Sequence, residues 1–266
     1  MNKYPHIKIL ILNWNGENII ENCLNSVQLL KYKNYSIDVI DNGSSDKSNS
    51  IILKKFPNVN LHRINKNIGY SKGYNKIFNK LKDDDFKYYL ILNNDVVVNK
   101  NLLDELYNSI KKYGDEHIYG SKIYYSKNKK RLWYAGGYYN KLLGITLHKG
   151  LNKFESNYEY KTQKTKYVSG CCMLIQKRII NKLNGFDENF KMYFEDVDLC
   201  HRASKISSFC YVSDSCYINH VVSYSIGKNS LYKSYMKFIS QIKFIYKTNN
   251  KIVFFFSLII NIAFLP

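Results

Sequence analysis

Between Ile7 and Asn13 the chain reads IKILILN, a run with one lysine among apolar residues, too short for a buried helix and predicting a buried strand. The same reasoning marks SIDVIDNG (Ser36 to Gly43) and LILNND (Leu90 to Asp95) as strands. Between the first two, Glu17 to Leu30 places Ile19, Ile20, Cys23, Leu24 and Val27 on one helical face. Ser44-Ser45-Asp46 reads as the start of another helix. Strands alternating with helices predict an α/β fold, a mostly parallel sheet flanked by helices.

Each of these strands ends in small polar residues. Asn13 to Gly16 follow the first, Asp41 to Gly43 the second, and Asn93 to Asp95 the third. Ligands of open α/β sheets bind at the carboxyl ends of strands, so the three ends are expected to line one crevice. Asn65 to Phe78 (NKNIGYSKGYNKIF) adds a loop leading into a helix, with Gly69 and Gly73 allowing close backbone approach to a phosphate. That spacing is not the GxGxxG of dinucleotide folds. From about residue 118 tyrosines multiply, and residues 127–166 are lysine-rich and expected to be mostly loop, in a half that handles a second, more variable ligand.

The 266 residues suffice for one large domain. Formal net charge is +19, from 40 Lys and Arg against 21 Asp and Glu, but the lysines are scattered. They read as general background with one local patch at most, rather than as a nucleic-acid surface. The cysteines at 23, 171, 172, 200, 210 and 216 form no CxxC pair, which suits a reducing compartment. The first apolar run is too short for a signal-peptide core. Towards the C-terminus, Ser230 to Lys251 mixes apolar and basic residues at helical spacing, and Ile252 to Pro266 is almost wholly apolar. Fifteen apolar residues fall short of the roughly 20 that span a bilayer. A basic helix leading into an apolar tail suits the inner membrane surface, and equally a helix packed on the domain.

Two acidic clusters carry candidate chemistry. Asp95 lies between apolar residues, where a carboxylate must be paired, hydrogen-bonded or metal-bound, although Asn-Asn-Asp is also ordinary turn chemistry. FEDVDLCHRA (Phe194 to Ala203) reads as a helix with Val197, Cys200 and Ser204 on one face and Glu195 and Asp198 at i and i+3. Its acids suit either a solvated helix start or a general base held beside an acceptor hydroxyl. His220, alone after a short apolar strand, is on spacing alone a structural histidine.

The ordered series ILNWNG, VIDNGSSD, NIGYSKGYN, LILNNDVVV, LWYAGG, VSGCCMLI, GFDENFKMYFEDVDLC and INHVVSYSIG, over residues 7–227, resembles family 2 glycosyltransferases of the bacterial rhamnosyltransferase-like kind. The resemblance implies a GT-A fold, with a nucleotide-sugar half at about 1–117, an acceptor half at 118–229 and a helical segment at 230–266. It places Asn93, Asn94 and Asp95 at the DxD motif, so that Asp95 binds Mg²⁺ or Mn²⁺ and Asn93 stands where the first acid would be. His220 matches a position that supplies another metal or diphosphate contact. Asp41 matches the acid that recognises the base or ribose; Asn13, Asn15, Asn67, Gly69, Gly73 and Asn75 match loops around the nucleotide. Asp196 corresponds to the catalytic base, with Glu195 and Asp198 as alternates. Trp133 is a candidate platform for a sugar ring and equally a partly buried aromatic of the core, and Cys171 and Cys172 match packing positions.

The activity implied is inverting transfer of one sugar, since the QxxRW motif of processive synthases is absent. The donor is a dTDP-rhamnose or UDP-sugar. The acceptor is a hydroxyl of a cell-surface glycan or lipid-linked glycan, in surface polysaccharide or lipopolysaccharide biosynthesis at the cytoplasmic face of the membrane. Two rivals stand beside it. A sugar-nucleotide pyrophosphorylase wants a glycine-rich basic loop near the N-terminus that ILNWNGEN does not supply. A non-enzymatic basic module for membranes or nucleic acid is suggested by charge alone.

Overall fold

The computed structural model describes residues 4–157, 161–221 and 230–263. The first apolar run forms β1 (Ile7–Asn13), followed by α1 (Ile20–Gln28), β2 (Tyr35–Asn42), α2 (Ser48–Lys55), β3 (Val59–Ile64) and α3 (Tyr70–Lys80). β4 (Tyr88–Asn93) and β5 (Val96–Val98) are separated by Asn94 and Asp95, and α4 is Leu102–Tyr113. Next come β6 (Ile118–Tyr125), β7 (Asn128–Tyr134), β8 (Gly137–Asn140), β9 (Ile145–His148), β10 (Gln163–Thr165), β11 (Cys172–Gln176), α5 (Lys177–Leu183), α6 (Glu195–Ser204) and β12 (Cys210–His220). The last helices are α7 (Ser230–Thr248) and α8 (Lys251–Ala263). Residues 222–227 of the final sequence motif and 264–266 of the apolar tail lie outside the described residues.

One ten-stranded sheet organises the chain, in the order β10-β12-β6-β11-β4-β1-β2-β3, with β5 on β12 and β7 on β6. The strands β3, β2, β1 and β4 pair in parallel, while β11 runs antiparallel between β4 and β6. Ile7, Ile9, Leu10 and Ile11 have no solvent exposure, as expected of a central parallel strand covered on both faces. Parallel register does the positioning. Asn13 pairs with Asp41 and Leu12 with Asn93, so three polar strand ends emerge at one edge.

The structure departs from the sequence pattern in four places. Helix α1 starts at Ile20, because Glu17 is held in a turn by the facing loop: its N–H donates to Asp46 Oδ2 at 2.8 Å and its Oε2 accepts from Lys47 N at 3.1 Å. Helix α2 starts at Ser48, with Asp46 Oδ1 accepting the Ser48 N–H at 3.0 Å. The stretch expected to be loop carries β7 to β10, and β8 and β9 form a hairpin. On α6 the buried face ends at Ala203, leaving Ser204 exposed.

The two C-terminal helices are anchored from α7. Phe244 is fully buried, its ring centroid 5.4 Å from those of Tyr139 and Phe194. Among the described residues no helix is long and apolar enough to cross a membrane.

Candidate active site

The strand-end crevice is built of short polar side chains that bind one another. Asn13 is fully buried; its Nδ2 donates to Ser48 Oγ at 3.0 Å and its Oδ1 accepts from Asn94 Nδ2 at 2.8 Å. One side chain thus joins the ends of β1 and β4 to the start of α2. Asp41, also buried, accepts the Ser44 N–H at 3.1 Å and the Asn49 amide at 2.7 Å, holding the loop after β2. Asn15 sits at φ 48°, and its Oδ1 accepts the Ser45 N–H at 2.9 Å. The two loops border a shallow polar cavity of about 490 Å³ that includes Asn15, Glu17, Ser45 and Asp46. Asn67 Oδ1 accepts from Asn42 Nδ2 at 3.1 Å and from the Gly69 N–H at 2.9 Å, and Gly69 turns the chain into α3 at φ 88°.

At the turn after β4, Asp95 Oδ1 lies 3.1 Å from His220 Nε2, and both side chains are about 6–7% exposed. Strand pairing brings them together, since β5 runs antiparallel to β12 with Val96 opposite His220. The contact does not meet hydrogen-bond geometry, and Asp95 Oδ1 remains a buried oxygen without a hydrogen-bond partner. Burial opposes charge on His220, but the neighbouring Cys171 sulfur and Asp95 carboxylate outweigh it and push its pKa up to about 10. The site therefore favours positive charge beside Asp95, from a protonated imidazole or from a cation that displaces that proton.

These residues fit a divalent cation. The 3.1 Å separation matches the edge of an octahedron with metal–ligand bonds of about 2.1 Å. Among the described residues no group of three or more His, Cys, Asp or Glu side chains is placed to hold a metal ion. An imidazole in the donor set suits Mn²⁺ better than Mg²⁺, which prefers oxygen.

The second acidic cluster opens onto the same place through a two-residue turn. The Gly170 N–H donates to Asp196 Oδ2 at 2.9 Å, while the Cys171 Sγ lies 3.9 Å from His220 Nδ1 and accepts from Asn93 Nδ2 at 3.3 Å. Tyr70 O–H, from α3, donates to the Gly170 carbonyl at 3.2 Å. Burial, with Asp196 beside it, pushes Glu195 up to about 8. Burial raises Asp196 as well, against the opposing effect of the N–H groups of Gly170 and Val197. Glu195 Oε2 has no hydrogen-bond partner. Of two crowded carboxyls, the one receiving N–H donors keeps the negative charge, so Asp196 is the ionised member and Glu195 the protonated one.

Three expected site residues lie elsewhere. Asp198 has no exposure and is held by Arg202 Nε at 2.7 Å and Lys247 Nζ at 2.6 Å, so its carboxylate faces an ion pair away from the crevice. Asn75 exchanges hydrogen bonds of 2.8 Å with both backbone groups of Phe186 and braces the loop before α6. Gly73 packs α3 on β1: a Cβ there would stand 2.8 Å from Leu12 Cδ1. Sequence reasoning placed Asn42 at the polar end of the second strand without giving it a role, and passed over Tyr70 and His148. Asn42 is signalled by its place in the polar strand end; nothing in the spacing marks the other two. His148, on β9, lies against Trp133 at 4.5 Å, and Trp133 against His220 at 4.9 Å. Burial lowers the His148 pKa to about 4, leaving a neutral imidazole. Cys171 and Cys172 are both buried in the core, as expected of packing positions, and Cys171 Sγ also approaches His220.

Comparison with known proteins follows the same lines. The profile of the family described as "Glycosyl transferase family 2" matches residues 8–183. The N-acetylglucosaminyl-diphospho-decaprenol L-rhamnosyltransferase of Mycobacterium tuberculosis is 25% identical over 238 residues, 79% of this chain and 74% of that protein. Glycosyltransferase GlyA of Streptococcus pneumoniae is 28% identical over 186 residues, 66% of this chain and 25% of that one. Among solved structures, GalNAc-T7 with UDP, GalNAc and Mn²⁺ superposes with a TM-score of 0.67 at 13% identity. It is covered for 44% of its length by 83% of this chain. TarS 1-349 of S. aureus in complex with UDP superposes at 0.62 with 15% identity, 90% of this chain spanning 64% of it. These likenesses are of fold, and the fold is GT-A.

Proposed function

The chain belongs to glycosyl transferase family 2, is rhamnosyltransferase-like and is a glycosyltransferase; from that premise we propose that it performs metal-dependent, inverting transfer of one sugar from a nucleoside diphosphate sugar to a hydroxyl of a lipid-linked glycan. The observation that carries this reading is the short Gly170-Cys171 turn, which joins Asp196 to the Asp95–His220 pair beside the polar strand ends. A base for the acceptor and a seat for the diphosphate are thus held by one piece of backbone.

In this reading residues 1–117 take the donor and 118–229 the acceptor. Asp41, Asn15 and Asn67 shape the loops against the nucleotide, while Asn13 and Asn94 hold the strand ends that carry them. Asp95 and His220 hold Mn²⁺ or Mg²⁺, which when bound neutralises charge on the departing diphosphate. Asp196 Oδ1 or Oδ2 takes the proton of the acceptor hydroxyl as its oxygen attacks the anomeric carbon from the side opposite the diphosphate. Configuration inverts and no covalent sugar intermediate forms. The neutral His148 and the Trp133 face border this space and suit a sugar ring. A dTDP-rhamnose donor is supported by the similarity to the mycobacterial rhamnosyltransferase, and a UDP-sugar by the likeness in fold to UDP-bound structures. The acceptor then lies at the cytoplasmic membrane face, where the protein works peripherally.

The test is transfer from dTDP-rhamnose, UDP-hexoses and UDP-N-acetylhexosamines to a polyprenyl-diphosphate-linked N-acetylglucosamine, with Mn²⁺, Mg²⁺ or EDTA. The product's anomeric configuration is read by NMR. One donor should give a single added sugar of inverted configuration, faster with Mn²⁺ and stopped by EDTA. Retention of configuration contradicts the mechanism, and full activity in EDTA contradicts the metal.

A further inference from the structure

Helix α8 leaves an apolar face uncovered. Ile252, Phe255, Phe256, Ile259 and Ile260 are 70, 60, 62, 50 and 42% exposed. They recur at i, i+3, i+4, i+7 and i+8, one stripe of the helix. The opposite side is the one bound to the protein: Ser257 is buried, and the Asn261 amide donates to the Leu143 carbonyl in the β8–β9 turn at 3.2 Å. That turn adds exposed Lys141 and Leu142 beside the helix.

Charge selects the occupant. Residues 230–263 contain five lysines and no Asp or Glu; Lys247 is held by Asp187 and Asp198, while Lys237, Lys243 and Lys251 are exposed. A second copy of the chain on this face would bring two wholly basic segments together, whereas an anionic lipid surface complements them. The thirteen residues of α8 suffice to lie in the interface of a bilayer.

We propose that the exposed stripe of α8 docks in the headgroup region of an anionic bilayer. The docking also orients the active site. Ser240 Oγ on α7 donates to the Met192 carbonyl at 2.6 Å, Lys243 Nζ to the Asn189 carbonyl at 2.9 Å, and Lys247 pairs with Asp187 at 2.6 Å. These bonds tie the helices to the segment that leads into Glu195 and Asp196. A docked α7–α8 pair therefore holds the acceptor-facing acids at a fixed height over the membrane. The inference rests on the lipid-linked acceptor reading only for this last consequence.

The test is flotation of the full chain with vesicles of phosphatidylcholine and phosphatidylglycerol in equal parts, and of phosphatidylcholine alone. The variant combines Phe255→Ser, Phe256→Ser and Ile259→Ser, all exposed positions. The unaltered protein should float with the mixed vesicles, less so in high salt, and the variant should lose at least about tenfold of that partitioning. Failure of the unaltered protein to float, or an undiminished variant, overturns the proposal. So does sedimentation showing a dimer that the triple substitution dissociates without any vesicle binding, since a second copy would then cover the face. Nucleotide-dependent thermal stabilisation is read in parallel and should be the same in both proteins. Its absence in both, with flotation intact, would count against the donor reading and leave the docking face standing.

Discussion

In the proposed mechanism Asp196 is the base, and its environment favours it over Glu195. Two backbone N–H groups stabilise its charge, at 2.9 and 2.8 Å, whereas Glu195 Oε2 has no hydrogen-bond partner. Asp196→Asn should reduce transfer by about 10²- to 10⁴-fold, the usual worth of a general base, with nucleotide affinity unchanged. Undiminished turnover would remove it from that role. Glu195 carries a separate signature in stability. Its carboxyl is raised in the folded chain from the ordinary 4.5 to about 8. Folding thus favours its protonated form: the contribution is fully present below pH about 4.5 and is lost as pH rises towards 8. Glu195→Gln should flatten this decline, so that thermal melts of the two proteins differ most at pH 8 and above. A parallel pH dependence in both would contradict the assignment. In the sequence Asp95 stands out as an acid beside apolar residues, and Asp196 as one of three acids within four positions. The partners that define them, His220 and Gly170, are 125 and 26 positions away, and no periodicity reports such distances.

At the scale of elements, three of the four parallel strands, β1, β2 and β4, were legible because apolar-rich runs ending in Asn, Asp and Gly have few other uses, whereas β3 (VNLHRI), with polar residues interleaved, was not. Helix α6 was legible as a helix but not in its roles. Spacing put Asp198 with Glu195, while the fold turns Asp198 inward to Arg202 and Lys247. Asp198→Ala leaves the Arg202 guanidinium with only its bonds to the carbonyls of Leu183 and Gly185. Loss of one member of a buried ion pair costs about 3–5 kcal/mol, so urea unfolding should show a destabilisation of that size. A change under 1 kcal/mol, on the order of a surface pair, would mean the network is wet. The β8–β9 hairpin escaped the sequence pattern for a physical reason. β9 alternates between exposed and half-buried residues and β8 buries only Gly137, so the period-2 signal of a strand with one buried face is weak. What holds it is tertiary, including Gln241 and Asn261 bonding to the Leu143 carbonyl.

Across the whole molecule, strand register brings Asp95 beside His220 and gathers the polar strand ends, while Asp196 reaches them from α6 through its bond to the Gly170 N–H. In the proposed reading the geometry of donor and acceptor therefore depends on that register and on the seating of α6. The resemblance of the ordered motifs supplied what spacing could not, because it places Asp95, Asp196 and His220 in one site across 125 residues. The central claim is that Asp95 and His220 hold a divalent cation against a nucleoside diphosphate. Its most direct test is the thermal stabilisation of the full chain by dTDP, UDP, GDP and ADP, with and without Mn²⁺, compared with Asp95→Ala. At a concentration 100 times the dissociation constant, a ligand adds about 2.7 kcal/mol of stability. A shift with dTDP or UDP that requires Mn²⁺ and vanishes in Asp95→Ala is the expected result. A shift that is indifferent to Mn²⁺ and survives the substitution would contradict it.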